Sequence, residues 1–285
     1  MIGKPEIGII GFGFVGRALH HGFAQTAIFR IYDANPVVSE NTFEDTIRNS
    51  EYIFICVPTP MDLSTGKCDI SIIDKVLNDS VPFASNSDKI FIIKSTIAPG
   101  TTEIFIKKYS ILNIIFNPEF LTERTYKLDF INASRIILDG DIKFTERVGN
   151  LYALRFPMTP ICLTDPTAAE TVKYFSNCML ATKVLLCNEF YDICDKLGLE
   201  YNDVMNMVLM DGRIGKSHVD VPGHDGDRGI GGKCFPKDMM GMITKAKELG
   251  LDPVIMEAAF KYNERIRKNK NWLFIPGATS GKETI

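Results

Sequence analysis

Apolar residues along the first half of this chain fall into short runs. Residues 6–11 (EIGIIG), 28–33 (IFRIYD), 52–57 (YIFICV), 89–94 (KIFIIK), 111–116 (ILNIIF) and 135–138 (RIIL) read as strands. Most are apolar on both faces, as strands buried inside a parallel sheet must be. Between them, residues 14–25, 42–49, 70–77, 101–108 and 143–154 carry helix-like patterns. The alternation predicts an α/β fold, a Rossmann-like doubly wound parallel sheet with right-handed crossovers, over residues 1–165.

Beyond Asp165-Pro166 the pattern changes. Residues 167–197 hold no Gly or Pro and repeat apolar positions at helical spacing. Asp165 can cap that helix, Pro166 suits its first position and Gly198 ends it. A second helix is predicted at 201–210, a polar glycine-rich loop at 210–233, and further helices at 236–249 and 253–269. Residues 166–270 are thus expected to form an all-helical central domain, with 271–285 as a short tail.

A length of 285 residues fits about two domains. Forty-five per cent apolar and 24% charged residues exclude a disordered or fibrous chain. A net charge of −3 offers nucleic acid no basic field. No run approaches the ~20 apolar residues that span a bilayer, and the first residues lack a signal-peptide layout. Seven cysteines without a CxxC pair fit a reducing compartment, and four histidines without HxxH or HExxH spacing argue against a metal site. A cytoplasmic protein without metal, membrane or nucleic-acid partner is expected.

Gly11-Phe12-Gly13-Phe14-Val15-Gly16 follows the first strand directly. In a GxGxxG, the first glycine allows the tight turn, the second admits a pyrophosphate and the third lets helix and strand pack closely. Asp33, 22 residues after Gly11, ends the second strand. An acid there accepts from ribose hydroxyls and repels a 2′-phosphate, which favours NAD. Three further strand tips carry Val57-Pro58-Thr59-Pro60, Ser95-Thr96 and Asn117-Pro118-Glu119-Phe120-Leu121. Each taken singly is compatible with ordinary loop chemistry. Together, at the carboxyl ends of strands where open α/β sheets bind ligands, they resemble a site.

Gly231-Gly232-Lys233-Cys234-Phe235-Pro236-Lys237-Asp238 is the most informative stretch. Pro236 suits a first helical turn, which puts Cys234 at the helix's amino end, where the macrodipole and Lys233 favour a thiolate. Asp238, four residues on, can act on a proton or water near the sulfur, and the glycines leave a ligand room. On the long helix, Lys173 and Asn177 share a face with Glu170 one turn earlier. Lys173 lies in a largely apolar stretch, and the pattern leaves both a solvated lysine and a buried functional ammonium open.

GFGFVG, VPTP, KSTIAPGT, NPEFL, AAETVKYFSNCMLATKVLLCNE, MDGRIG and GGKCFPKD occur in this order, so that over residues 6–270 the chain resembles the UDP-glucose/GDP-mannose dehydrogenases. The resemblance implies oxidation of a nucleotide sugar's primary alcohol, UDP-glucose first among the candidates, to a carboxylate with two NAD and no metal. Such a product points to polysaccharide precursors. Cys234 would trap the aldehyde, Lys173 and Asn177 would stabilise alkoxide and oxyanion, Asp238 and Thr96 would handle a water, and Glu119 would serve thioester hydrolysis. Arg213 would reach the sugar of a neighbouring subunit, and the long helix would form a two-fold dimer core. Typical members carry a third domain that grips the nucleotide. The expectation here is a short form, with the 218–232 loop and Arg228 supplying part of that grip. A two-electron β-hydroxyacid or 6-phosphogluconate-type dehydrogenase has no need of Cys234, and a non-catalytic NAD-binding remnant has no need of Lys173 or Asp238.

Overall fold

The structure, a computed structural model, describes residues 3–84 and 88–280. The chain divides into two compact units, 1–59 with 70–173, and 60–69 with 174–285.

The first unit alternates strands and helices in the order β1 (Glu6–Ile10), α1 (Phe14–Phe23), β2 (Ile28–Tyr32), α2 (Phe43–Arg48) and β3 (Tyr52–Ile55). After a short strand of the second unit, β4 (Met61–Asp62), it continues with α3 (Ser71–Ala84), β5 (Ile90–Ile93), α4 (Thr101–Lys108) and β6 (Asn113–Phe116). Next come α5 (Tyr126–Ile131), β7 (Ile136–Asp139), α6 (Ile142–Arg155) and β8 (Ile161–Thr164). Five strands form one parallel sheet in the order β2-β1-β3-β5-β6. Alternate residues enter two cores: Ile9, Phe54, Ile92 and Ile115 on one face, Ile10, Ile55, Ile93 and Phe116 on the other. This two-sided burial explains why the strands read as continuous apolar runs.

The sixth predicted strand forms one residue later than expected and pairs with β8 in a separate two-stranded sheet. Side chains bridge the seam between β6 and β7. The Asp139 carboxyl accepts the Phe116 N–H at 2.5 Å, and Asn117 Nδ2 donates to the Ile137 carbonyl at 2.7 Å. Helix α5 and strand β8 were not foreseen, and α3 runs to Ala84 through Pro82 instead of stopping at 77.

Helix α7 (Pro166–Leu197) begins in the first unit and continues into the second. Asp165 caps it by accepting the Ala168 N–H at 2.8 Å, and Gly198 ends it at φ +69°. The second unit adds α8 (Tyr201–Val208), α9 (Phe235–Glu248), α10 (Val254–Ile266) and β9 (Thr279–Ser280). Cys178, Leu185, Ile230, Met239 and Ile243 form its main core. Two expectations of chain division are corrected. Residues 60–69 belong to the helical unit, and the supposed tail is built into it. β9 pairs with β4, and Trp272 is buried with Met61 and Ala278. The signal for a tail was length alone; Trp272 was the apolar anchor it hid. Residues 281–285 lie outside the described residues.

Candidate active site

In the first unit, Gly11 (φ +93°) makes the turn from β1, and a Cβ there would lie 2.7 Å from the Cys56 carbonyl. A Cβ on Gly16 would strike the Gly11 carbonyl, whereas at Gly13, the N-cap of α1, nothing lies within 4 Å. Among the described residues no side chain caps α1, and no acid occupies its first turn, so the amide hydrogens of Phe14 and Val15 and the helix dipole stay available to an anion. Asp33 accepts the Phe12 N–H at 2.6 Å and the Asn35 N–H at 2.8 Å, tying the tip of β2 to the glycine loop. The strand tips are cross-tied as well. Ser95 Oγ donates to the Val57 carbonyl at 2.7 Å, and Thr59 Oγ1 donates to the Thr96 carbonyl at 2.7 Å, leaving Pro58 exposed beside them. This set suits a dinucleotide: an uncapped helix start for the pyrophosphate, and an acid where the ribose would lie.

Beyond β6, Glu119 Oε1 and Lys173 Nζ pair at 2.9 Å with both side chains buried. Glu119 Oε2 also accepts the Leu121 N–H at 2.7 Å, and Lys173 Nζ lies 5.5 Å from the centre of the Phe120 ring. Lys173 is therefore a buried ammonium and not a solvated helix lysine. Glu170 is spent on capping α4, accepting from the Gly100 and Thr102 amides at 2.5 and 2.7 Å.

Sequence reasoning missed Lys94 and Tyr152. Lys94 Nζ donates to Asn117 Oδ1 at 2.8 Å and to its carbonyl at 3.1 Å, and the Tyr152 hydroxyl donates to the same Oδ1 at 2.6 Å. Burial pulls Lys94 down to about 8, with Lys173 adding to the effect against Cys56 and Glu119. Burial likewise pushes the Cys56 thiol up to about 12, so it stays protonated and inert. Glu119, Phe120, Leu121, Lys94 and Tyr152 share the lining of a cavity of about 310 Å³. The available signal was a lysine closing an otherwise apolar strand, KIFIIK.

In the second unit, Cys234 is the N-cap of α9, with Pro236 in its first turn. Asp238 is 1% exposed. Its Oδ2 accepts from Asn177 Nδ2 at 2.5 Å and its Oδ1 from Lys237 Nζ at 2.5 Å. Burial alone would lower Lys237, but Asp238 beside it, with Cys68 and Cys234, outweighs that and holds the ammonium above the ordinary lysine range. Lys237 is a third residue missed, although its place beside Asp238 in the motif was visible. Gly231 and Gly232 precede the thiol, Gly232 at φ +73°.

Arg228 is placed differently from the ligand role expected of it. Arg228 is tied to α7: Nη1 pairs with Asp192 at 2.8 Å, Nη2 donates to the Asn188 carbonyl at 3.0 Å, and the guanidinium lies over Tyr191. Its donors hold the loop down. Arg213 is largely exposed and pairs with Asp211 at 2.5 Å. Among the described residues, no helix is long and apolar enough to cross a membrane.

Comparison with known proteins gives the family. Residues 26–154 match the NAD binding domain, and residues 167–265 the central domain, of the UDP-glucose/GDP-mannose dehydrogenase family. UDP-glucose 6-dehydrogenase of Rickettsia bellii is 31% identical over 230 residues, which is 78% of this chain and 51% of that protein. A UDP-glucose dehydrogenase structure from Pyrobaculum islandicum superposes with a TM-score of 0.80 at 26% identity, covering 92% of this chain and 68% of that one. Mycobacterium tuberculosis 3-hydroxyisobutyrate dehydrogenase shares the fold alone, with a TM-score of 0.73 at 15% identity over 92% of this chain and 94% of that one. The chain spans about half the length of the curated relatives it matches. It belongs to the UDP-glucose/GDP-mannose dehydrogenase family.

Proposed function

We propose that this member of the family oxidises the primary alcohol of a nucleotide sugar, UDP-glucose first, to the carboxylate in two steps through a covalent Cys234 adduct. The observation that carries the reading is Cys234 at the start of α9, one turn before a buried Asp238 that is hydrogen-bonded to Asn177. NAD, when bound by the glycine loop, Asp33 and the tips at Val57–Thr59 and Ser95–Thr96, supplies the hydride acceptor for each oxidation.

The chain's own groups do the rest. A four-electron oxidation has to retain the aldehyde between its two stages. The Cys234 thiolate adds to the aldehyde carbon as a thiohemiacetal, and oxidation of that adduct leaves a thioester that water hydrolyses, returning the thiol. The helix N-terminus favours the thiolate. Lys173 and Asn177 donate to the developing alkoxide and oxyanion, which is the largest single help an acyl-transfer site can give. Asp238 takes the proton of the attacking water, and Glu119 relays protons during hydrolysis. Lys237 holds Asp238 in place through the Nζ–Oδ1 hydrogen bond.

We further infer a homodimer. Phe175, Met179, Leu186, Phe190, Ile193 and Leu197 stand exposed at helical spacing along α7, and a second copy would cover them two-fold. Arg213 remains a candidate for contact with the neighbouring copy's sugar.

Released NADH decides the chemistry. Two NADH per UDP-glucose in wild type, lost in Cys234→Ala, is the expected result. One NADH per sugar, indifferent to that substitution, would move the chain to two-electron chemistry. NAD binding without turnover on any sugar nucleotide would make it a binding protein.

A further inference from the structure

Three asparagines hold the main chain that leads into Cys234. Asn188 of α7 accepts the Gly229 N–H at 3.2 Å. Asn263 of α10, fully buried, accepts the Ile230 N–H at 2.8 Å and returns its Nδ2 to the Ile230 carbonyl at 3.1 Å. Asn271, beyond α10, accepts the Gly232 N–H at 2.9 Å. Arg267 backs the same stretch: buried, it pairs with Asp225 at 2.5 Å and Asp227 at 3.5 Å and donates to the Arg228 carbonyl at 3.4 Å. A Cβ on Gly231 would strike that guanidinium and lie 2.8 Å from Asn271 Oδ1.

Surface loops ordinarily satisfy their main chain with water or with their own turns. Here the work is done by side chains from three separate parts of the second unit, and it ends two residues before the thiol. The Gly231-Gly232 pair is the most permissive backbone in the segment, so an external acceptor is what selects one conformation. Once Gly232 is fixed at φ +73°, only Lys233 lies between it and the N-cap of α9.

From this we infer that Asn271 is a positioning residue for Cys234, its Oδ1 locking Gly232 so that the thiol meets the amino end of α9. Asn263 secures the preceding peptide. The inference rests on the reading of Cys234 as the nucleophile. It makes a chemical distinction between the two asparagines. The Gly232 bond uses only the Oδ1 acceptor of Asn271, which aspartate also offers, whereas Asn263 uses acceptor and donor together.

The test is alkylation of the full chain by iodoacetamide from pH 6 to 9, in which the thiolate displaces iodide and forms the S–C bond. Rates are read cysteine by cysteine from peptide masses, with the exposed Cys162 as internal reference. Losing one hydrogen bond to a half-buried amide is expected to slow Cys234 in Asn271→Ala about fivefold at neutral pH and to move its pH midpoint upward. Asn271→Asp should stay within about twofold of wild type, while Cys162 is unchanged in every variant. If Asn271→Ala does not fold by circular dichroism, Asn271→Gln replaces it: the same amide one methylene further out should show the shift that Asn271→Asp does not. An activated Cys234 with the same rate and midpoint in all variants overturns the inference alone. A wild-type Cys234 no faster than Cys162 overturns the nucleophile reading and the inference with it.

Discussion

Asp139 offers the sharpest arithmetic. Its side chain is fully buried at the seam between β6 and β7. One oxygen accepts the Phe116 N–H at 2.5 Å, and the other has no hydrogen-bond partner among the described residues. Burial pushes its pKa up to about 8, Glu170 and Asp165 add to the rise, and the Phe116 N–H opposes it. At neutral pH the folded chain therefore holds this carboxyl protonated, while the unfolded chain, near the ordinary value of about 3.9, has it ionised. The sign is opposite to that of an ion-paired carboxylate. The native state binds the extra proton, so stability falls as pH rises from about 4 to about 8, by about 1.4 kcal/mol per pH unit at most. Asp139→Asn keeps the shape and an acceptor for Phe116 but titrates nothing. Between pH 5 and pH 7 wild type should lose roughly 2 to 3 kcal/mol relative to the variant. For a chain of this size that is a relative shift in Tm of about 5 to 10 °C. Thermal melts of both proteins at the two pH values read the effect, since the contribution of Glu170 is common to both. An infrared carbonyl band of protonated carboxyl, lost in Asp139→Asn, would identify the group. A gap between the two proteins that does not change with pH would refute the reasoning.

Three further outcomes are expected. Lys173→Met leaves Glu119 a buried charge without its partner and should cost about 3 to 5 kcal/mol in urea melts; adding Glu119→Leu should recover most of that stability without restoring NADH release. Phe190→Asp with Met179→Asp on α7 should turn a dimer into a monomer by light scattering, and a wild-type monomer at micromolar concentration would end the dimer proposal. Arg228→Ala should lower stability by about 1 to 3 kcal/mol while leaving the KM for the sugar nucleotide unchanged, and a large rise in KM at unchanged stability would restore the loop arginine as a ligand.

Much of the first unit was legible because two-sided burial writes itself into composition. β1, β3 and β5 are buried at almost every position, so no helix period can be drawn through them. The GxGxxG was legible because its glycines answer to sterics that any sequence obeys, visible in the collisions at Gly11 and Gly16. The seam at Asp139 was not, because it depends on one polar side chain replacing a main-chain partner across 23 residues. β4 and β9 escaped for a related reason. Two-residue strands carry no period, and their pairing joins segments more than 200 residues apart. Of the candidate site, each motif was found where spacing marked it, but which donors were already spent was invisible. Arg228 and Lys94 have the same charge in a sequence; one is consumed by Asp192 and Asn188, the other is buried against Asn117.

Burying charge is costly, so each buried ionic group calls for a reason beyond stability. Asp139 escapes the cost by staying neutral, and its role is accordingly structural. Lys173–Glu119 and Lys237–Asp238 are ion pairs with both partners buried, at 2.9 and 2.5 Å. They are built on one plan. In each, the second carboxylate oxygen is engaged as well, by the Leu121 N–H for Glu119 and by Asn177 Nδ2 for Asp238. In the proposed reaction the alkoxide and oxyanion draw on Lys173 and Asn177, so each carboxylate gives up one of its donors to the substrate. Replacing either pair by apolar residues would keep a fold and remove that exchange, which is why the double replacement at Lys173 and Glu119 separates stability from chemistry.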